Sequence, residues 1–490
     1  MRWSSYMADI MSTQEGGQDL SNSYDIPDDF IQLDELASTS PVQNPHEQHI
    51  YRQEYLEERR SQERAYEDAV AEGTVEQIPR DPTRTPAQDK GQTRASNFET
   101  EFYTLSYLVS FSIWGTLARV GLQALTAYPG SPVTTSELWA NLGGNLIMGF
   151  LSEDRRLFHE HRKDWNNKPP QSQKTDDSEG SQETVGGITG QATASEDEDP
   201  EKKRAELLKT HNAMKKTIPL YIGLTTGFCG SFTSFSSFIR DVFFELANLP
   251  SAVRVPDSTT ASRNGGYSFM ALLAVIILTV SVCISASKFG AHLAIGLEKF
   301  TPSLPLFITR KHFDRWIAAL SWGLWLGAVF IAIWPPDRHF GLGMMDLTET
   351  WRGKVLFAIV FAPLGCIMRF YLSIWMNGIV AVFPLGTFTV NILGTAILGM
   401  CWDLQHASLG AAGRSIGGGH LGCQVLQGIQ DGFCGCLTTV STWVLELISL
   451  RRKHAYLYGV SSVVAGIAIL VVIIGSLVWS VGVSTAVCSV

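Results

Sequence analysis

Polar and apolar residues are unevenly distributed along this chain of 490 residues. Residues 1–98 are rich in Asp, Glu, Gln, Ser, Arg and Pro, whereas long uncharged stretches begin only after about residue 100. A segment with so few apolar side chains cannot bury enough surface to offset the entropy lost on ordering. The pattern predicts a disordered, acidic and polar tail over 1–98, followed by a membrane-embedded part.

An uncharged stretch needs about 20 residues to cross the hydrocarbon core of a bilayer. The second and seventh of the stretches found here are short and rich in glycine, so they can span only with close packing. Together the stretches predict an all-α polytopic membrane protein with nine transmembrane helices. They cover residues 104–127, 136–153, 217–248, 268–288, 316–335, 354–377, 384–402, 421–449 and 457–482.

A polar segment, 154–216, separates the second stretch from the third. It has basic ends and a low-complexity middle, which predicts a solvated insertion. Lys and Arg near the ends of membrane helices favour the cytoplasm. The basic segments 299–315 and 451–453 fall on the same side as the insertion if the amino terminus is cytoplasmic. With nine spans the carboxyl terminus is then extracellular.

Three motifs occur twice along the apolar part, in the same order. Their order predicts two four-helix repeats, 104–290 and 354–482, joined by one linking helix at 316–335. Because a single span separates the repeats, the second repeat enters the membrane in the opposite sense, as in inverted-topology transporters. The motifs are Gly-x3-Arg at Gly115–Arg119 and Gly365–Arg369, Asn-x2-Gly-x4-Gly starting at Asn141 and Asn391, and GFCGSFTSFSSF and GFCGCLTTVSTW starting at Gly227 and Gly432.

The third motif predicts a glycine-broken third helix in each repeat. An unsatisfied backbone group is costly in hydrocarbon, so such a break persists only when it is buried in protein or lines a cavity. Two breaks related by an inverted repeat would meet near the midplane. Their freed carbonyls could coordinate a bare cation; simple close packing through small residues is the alternative. The candidate carbonyls belong to Gly230, Thr233, Gly435 and Thr438.

Phe235 and Phe238 are three residues apart and therefore share a helix face. Aromatic edges carry partial positive charge, so rings presented edge-on can solvate a small anion, although ordinary packing is the usual role of such a pair. The second copy of the motif has Val440 and Trp443 at these positions. The two copies are therefore not chemically equivalent.

Four further polar residues lie at matched positions inside the predicted spans. Asn141 and Asn391 can donate hydrogen bonds to an ion or act as interhelical ties. Arg119 and Arg369 are expensive in a membrane, so they predict either an anion-attracting vestibule or a tie to backbone carbonyls.

The last span also carries two hydroxyl groups on one face. Tyr458 and Ser462 are four residues apart, a spacing that places both side chains on the same side of a helix. The fourth span offers Tyr267 followed by Ala271 at the same spacing. On this comparison only the second repeat has a hydroxyl pair.

Composition excludes several function classes. The eight cysteines lie almost entirely in apolar runs without a CxxC pair, so we expect small buried residues rather than a zinc site or a disulfide framework. The net charge of -9 comes mostly from the tail and the insertion and gives no indication of nucleic-acid binding. No Walker A glycine loop is present, so neither nucleotide use nor enzyme activity is expected.

In combination these motifs resemble the CrcB/Fluc family of fluoride channels, and the fused arrangement is similar to its fungal members. The resemblance covers about 105–482, without the insertion. It implies a pore in which fluoride passes Phe rings, an Asn and hydroxyl groups, and a structural sodium ion held by backbone carbonyls. The pore positions are then Phe235, Phe238, Asn141, Asn391, Tyr458 and Ser462, and the sodium carbonyls are those of Gly230, Thr233, Gly435 and Thr438.

The resemblance implies a passive fluoride-selective channel that exports cytoplasmic fluoride through the plasma membrane and gives fluoride resistance. A single chain would act as a pseudo-dimer, with one of its two pores altered at Val440, Trp443 and Ala271. Two alternatives stay open. One is a proton-coupled small-anion exporter, since inverted repeats also support carriers; the other is a membrane scaffold that uses the tail as its interaction module.

Overall fold

The computed structural model describes the backbone from Pro86 and, with side chains, residues 98–126, 137–158, 215–249, 263–305, 313–334, 355–380, 382–407 and 419–483, together with a few single positions. All regular structure in these ranges is helical. The helices are α1 Pro86–Thr126, α2 Leu138–Glu153, α3 Pro219–Ile222, α4 Gly230–Phe232, α5 Phe235–Leu246, α6 Gly265–Gly296, α7 Lys311–Ile333, α8 Phe357–Asn377, α9 Leu385–His406, α10 Gly419–Gly428, α11 Gly435–Leu437, α12 Ser441–Ser449 and α13 Arg452–Ser480.

Seven helices of the described part are long and apolar enough to cross a membrane. The protein is therefore an all-helical, polytopic membrane protein. Helix α2, of 16 residues, and the series from α3 to α5 lie at the other two predicted spans. The seven are Phe98–Thr126, Gly265–Gly296, Phe313–Ile333, Phe357–Asn377, Leu385–His406, Gly419–Ser449 and Arg452–Ser480.

Helix α1 begins inside the segment predicted to be a disordered tail. Its first residue is Pro86, so residues 86–98 are helical and the predicted boundary is wrong there. Proline is favoured in the first turn of a helix, where its missing N–H would have no acceptor. Residues 1–85 and 159–214 lie outside the described residues, so disorder of the remaining tail and of the insertion stays a prediction.

The two interrupted helices do not break at their glycines. π-Helical turns, Gly223–Cys229 and Ile429–Cys434, carry the chain through the first glycines of each motif. Helical geometry ends at Thr233 and Thr438, whose ψ angles of 147° and 152° are extended. The glycines instead permit close approach of other helices.

Gly227 shows what this close approach requires. A β-carbon at Gly227 would lie 2.8 Å from that of Phe111 on α1. Real β-carbons do not approach so closely, so the residue must be glycine for α1 to pack here. The motif was therefore correctly identified as special, but its glycines serve packing and the interruption follows them.

The linking helix α7 is tied to its neighbours by buried polar side chains. The Tyr107 hydroxyl on α1 donates to Asp314 Oδ1 at 2.9 Å. The Trp325 indole donates to the carbonyl of Val360, on α8, at 3.0 Å. Such hydrogen bonds fix one helix against another where lipid supplies no hydrophobic driving force. Helix α7 is therefore packed against both repeats and is not a loose tether.

Lys215, at the end of the insertion, caps the carboxyl end of α2. Its ammonium group donates to the carbonyls of Leu151, Ser152 and Asp154 at 3.1, 3.0 and 2.9 Å. Burial lowers the pKa of Lys215 to about 8, while the neighbouring Asp154 carboxylate opposes that shift. The amine is still mainly protonated at neutral pH and can donate all three bonds. The prediction that the insertion ends are solvated is wrong at this residue, which is 1% exposed.

Six cysteines in the described ranges are free and buried, as expected for small residues in helices. Cys423, near the start of α10, is different because it is disulfide-bonded. The expectation of buried free thiols is therefore wrong at this position. Disulfides persist in oxidising compartments.

Close packing of α2 against α6 gives a first testable prediction. A β-carbon on Gly290 would overlap the carbonyl oxygen of Leu146, and neither backbone can yield without shifting a helix. Gly290→Ala should therefore lower the free energy of unfolding by about 1–3 kcal/mol. Thermal unfolding in detergent measures the change.

Gly323→Ala is the matched control, because no atom lies within 4 Å of a β-carbon at that position of α7. It should be neutral or slightly stabilising, since alanine favours the helix. Equal unfolding temperatures for the two variants would contradict the packing argument.

Candidate functional site

The two helix interruptions meet, and each is held by a threonine of the other. Thr233 Oγ1 accepts hydrogen bonds from the backbone N–H groups of Val440 and Ser441 at 3.2 and 3.1 Å. Thr438 Oγ1 accepts one from the N–H of Ser236 at 3.1 Å. The first N–H groups of a helix have no partner inside it, so these hydroxyls satisfy them inside the core.

The two predicted pore asparagines hold the same crossing from a second direction. Asn141 Oδ1 accepts from the N–H of Ser234 at 2.9 Å, and Asn391 Oδ1 accepts from that of Thr439 at 2.8 Å. Each amide nitrogen also lies within 3.5 Å of the carbonyl of the same residue it holds. Both side chains are fully buried. Their observed contacts are those of interhelical ties.

The two arginines tie each repeat to the interrupted helix of the other. Arg119 Nε donates to the carbonyl of Ser231 at 3.1 Å, and its Nη2 donates to the carbonyl of Asp431. Arg369 donates to the carbonyls of Gly230, at 2.6 Å, and Thr226. Since 226 and 431 are equivalent positions of the repeated motif, the arrangement is reciprocal.

Both guanidinium groups are buried, at 0% and 2% exposure for Arg119 and Arg369. A buried charge in a membrane protein needs such backbone acceptors. Of the two roles predicted for these arginines, the tie to carbonyls is the one their contacts display.

The carbonyls predicted to hold sodium lie within this crossing. All four of the residues concerned are buried. Gly230 is already an acceptor for Arg369, and a β-carbon on Gly435 would overlap the Arg119 guanidinium. These backbone oxygens are acceptors of the kind that a cation uses, and the two guanidinium groups already donate to carbonyls of the same crossing.

The predicted ring positions come together in the largest apolar core, which α5, α6, α12 and α13 share. The Phe235 ring meets Phe238 at 5.8 Å and 77°, and Trp443 at 5.4 Å and 67°, between centroids. Both contacts are edge-on. Trp443, from the second repeat, therefore completes a row of three rings around Phe235, while Val440 adds no ring to the same core.

The predicted hydroxyl pair lies on the buried face of α13. The Tyr458 hydroxyl donates to Glu446 Oε2, and the Ser462 hydroxyl donates to the Tyr458 carbonyl, both at 2.7 Å. Gly466, one turn further, packs against Ile239 of α5. The stripe therefore runs along the helix that carries Phe235 and Phe238.

Sequence reasoning missed the carboxylate of this cluster. Glu446 is 1% exposed and also accepts from Thr387 Oγ1 at 2.7 Å and Asn377 Nδ2 at 3.4 Å. It lies near the carboxyl end of α12, Ser441–Ser449, where position alone suggests an exposed carboxylate. Its spacing of three from Trp443 was the available signal, since it places both residues on one face of α12.

The proposed counterpart of the hydroxyl pair in the first repeat is wrong. Tyr267 is 66% exposed and lies at the start of α6. The buried stripe of that helix runs instead through Val275, Thr279 and Cys283. Helix α6 extends beyond the predicted span at both ends, so the spacing comparison with Tyr458 and Ser462 used the wrong positions of this helix.

A small cavity of about 30 Å³ lies beside the crossing and is bordered by two basic residues, Lys216 and Arg369. That volume holds about two waters, or an ion of similar size. Apolar side chains of Met148, Ile222 and Phe370 form much of its lining, which also includes hydroxyl-bearing side chains. These hydroxyl groups belong to Tyr221, Thr225, Thr226, Ser373, Thr439 and Thr442.

Comparison with known proteins identifies relatives over most of the chain. A family model described as CrcB-like protein, Camphor Resistance (CrcB), matches residues 106–291 and 356–476. Fluoride export protein 1 of Neurospora crassa is 49% identical over 477 residues, which are 94% of this chain and 84% of the relative. The protein of that name from Candida albicans is 32% identical over 76% of this chain and 79% of its own.

One relative is a shorter bacterial protein. Fluoride-specific ion channel FluC 1 of Staphylococcus epidermidis is 35% identical over 118 residues, 23% of this chain and 88% of the relative. A single segment of the present chain thus corresponds to nearly the whole bacterial protein. No solved structure matches.

Proposed function

This chain belongs to the CrcB family as a fused, two-domain fluoride exporter of the fungal type, and we propose that it is a passive, fluoride-selective channel. The proposal rests on the two segments that the family model matches, one on either side of α7. The names of its relatives, as fluoride export proteins and a fluoride-specific ion channel, favour a channel over a proton-coupled carrier.

We propose nine spans arranged as two inverted four-helix repeats in a single-chain pseudo-dimer. Helix α2 and the series α3–α5 would add two spans to the seven long helices. The single linking helix between the matched segments supports the inversion, because one span reverses the direction of entry. Thr233 and Thr438 each hold the interrupted helix of the other repeat, and Arg119 and Arg369 do the same; these matched ties support a twofold relation.

The proposed orientation has a cytoplasmic amino terminus and an extracellular carboxyl terminus in the plasma membrane. Helix α10 then begins on the outer side, where the disulfide at Cys423 is compatible with an oxidising compartment. Lys215 and Lys216 fall on the cytoplasmic side, as the bias of basic residues requires. The cavity beside Lys216 would then open toward the source of the exported ion.

Passive flow suffices for export in this orientation. Hydrogen fluoride is a weak acid that crosses bilayers as a neutral molecule and ionises in a near-neutral cytoplasm, which traps the anion. An inside-negative potential of 100 mV drives a monovalent anion outward with about 2.3 kcal/mol. That exceeds the roughly 1.4 kcal/mol of a tenfold concentration gradient.

Chain residues supply three environments along the proposed path. Lys216 and Arg369 attract the anion to the cavity, and the edges of the Phe235 row offer partial positive charge without binding it tightly. Tyr458 and Ser462 line α13 next to that row. Their hydroxyls would donate to fluoride by exchanging their present acceptors.

A structural sodium ion is part of the proposal. Carbonyls of Gly230, Thr233, Gly435 and Thr438 would hold it, and a bound cation would reduce their mutual repulsion. Arg119 and Arg369 already neutralise part of this negative potential, so the ion would add to them rather than replace them.

Reconstituted protein tests the function directly. Liposomes loaded with fluoride should release it rapidly when the protein is present, because an open pore conducts down its gradient, whereas chloride-loaded liposomes should not empty. An ion-selective electrode follows the efflux. Release accompanied by a stoichiometric pH change inside the vesicles would instead identify a proton-coupled carrier, and cells lacking the gene that grow normally in fluoride would refute the assignment.

The two copies of the motif carry different residues at the ring positions, and this difference gives a separate prediction. Phe235→Ile and Phe238→Ile each remove a positive ring edge and should reduce fluoride flux about fivefold, as expected for about 1 kcal/mol. Val440→Ile removes no ring and should leave flux near the wild-type value. Fluoride tolerance of a sensitive strain at matched expression gives the comparison, and equal tolerance of all three variants would exclude unequal pores.

Thermal unfolding of the purified protein tests whether its stability depends on sodium. Exchange of sodium for a large organic cation should lower the unfolding temperature of the purified protein, since carbonyls left without a cation repel one another. Potassium-free sodium buffer at equal ionic strength is the control. An unchanged melting temperature would mean that Arg119 and Arg369 satisfy the crossing without a metal ion.

A further inference from the structure

Trp443 holds an unsatisfied hydrogen-bond donor inside the protein core. The side chain is 1% exposed, and its indole nitrogen Nε1 has no hydrogen-bond partner among the described residues. A buried indole N–H ordinarily finds an acceptor, because an unmade hydrogen bond leaves the cost of desolvation uncompensated. An orphan donor in a well-packed core calls for an acceptor beyond the described residues, such as a bound ion or water.

The surroundings of the indole define what kind of acceptor fits. One face of the site is the Phe235 ring, edge-on at 5.4 Å between centroids. The Cζ2 atom of the indole, on the same side of the ring system as Nε1, lies 4.0 Å from the position of a β-carbon on Gly459. The N–H edge therefore faces α13, beside Tyr458 and one turn before Ser462.

The donors and ring edges around this point favour an acceptor that is small and negative, while the nearby Glu446 carboxylate is already engaged by Tyr458, Thr387 and Asn377. Indole is a donor only, and aromatic edges carry partial positive charge. The Tyr458 and Ser462 hydroxyls can also donate, whereas the rest of the core is apolar. A cation would be repelled by such donors, and a large anion has no space in a core packed this closely.

We infer that the Trp443 indole N–H is a direct ligand for fluoride on the Phe235 side of the crossing. This inference rests on the proposed channel function and adds a residue to it. A phenylalanine at this position, which the family resemblance leads one to expect, offers only a ring edge. Trp443 keeps an aromatic edge and adds an N–H group. Compared with phenylalanine, it therefore gains a hydrogen-bond donor, and the pore is not lost.

Trp443→Phe separates the two contributions, because it keeps a ring and removes the N–H. In liposome efflux, the fluoride concentration that gives half-maximal flux should rise roughly tenfold, as expected for loss of a hydrogen bond to an ion. Trp402→Phe is the matched control: Trp402 is also buried in this core, at 3% exposure, but it packs on Phe244 and His406 and does not meet Phe235. It should leave the half-maximal concentration unchanged.

Indole resonances report binding independently of flux. With ¹⁵N-labelled tryptophan, the Trp443 signal is the one of the 13 indole resonances that Trp443→Phe removes. It should move downfield when fluoride is added and stay in place with chloride. Thermal melting of Trp443→Phe establishes that the variant is folded.

The outcomes are distinguishable. Wild-type liposomes that do not release fluoride would remove the proposed channel function itself. If the wild type conducts but Trp443→Phe has an unchanged half-maximal concentration, the inference is wrong. A Trp443 resonance that exchanges with water and does not respond to fluoride would identify a bound water as the acceptor, and would also overturn it.

Discussion

An interrupted helix inside a membrane depends on new partners for its backbone, and in this protein the partners come from the opposite repeat. Water is absent from the bilayer core, so N–H and C=O groups released at Thr233 and Thr438 must be satisfied by protein. Each threonine hydroxyl accepts from the other interrupted segment, and each buried arginine donates to carbonyls of the other repeat. Neither repeat contains all the groups that its own interruption needs.

This mutual dependence explains why the two halves have kept their ties while their rings have diverged. A change at Arg119 or Arg369 leaves buried carbonyls and charges without partners, a cost that packing cannot offset. Val440, which stands where the first copy has Phe235, leaves these ties in place. The ties at the crossing are therefore present in both halves, whereas the ring positions differ between them.

The second repeat also contains a buried cluster of polar side chains beside the rings. Glu446, Thr387 and Asn377 form a hydrogen-bonded cluster around the Tyr458 hydroxyl, next to α5 and its phenylalanines. Such a network fixes the orientation of the tyrosine ring, which packs edge-on against Phe383 at 5.1 Å between centroids. Trp443 lies on the same face of α12 as Glu446, so one short helix presents both a donor and a carboxylate to α13.

The sequence alone determined the membrane class, the two repeats, the linking helix and the identity of the special motifs. Those features depend on runs of apolar residues and on short spacings, which are visible in one dimension. The family, and with it fluoride export, also followed from motif order. What the sequence left undecided was how residues distant in the chain pack together: the pairing of Arg369 with Gly230, the burial of Glu446, and the meeting of Trp443 with Phe235.

The position of a residue within a predicted span did not show whether its side chain is buried or exposed. Glu446 lies near the end of its helix, and yet neighbouring helices cover it; Tyr267 was compared with the buried Tyr458, and yet it is exposed at the start of α6. Burial in a polytopic protein is decided by which helices pack around a residue, and that depends on the whole arrangement. Only the tertiary structure therefore assigns Trp443 to the same ring row as Phe235 and leaves its N–H without a partner among the described residues.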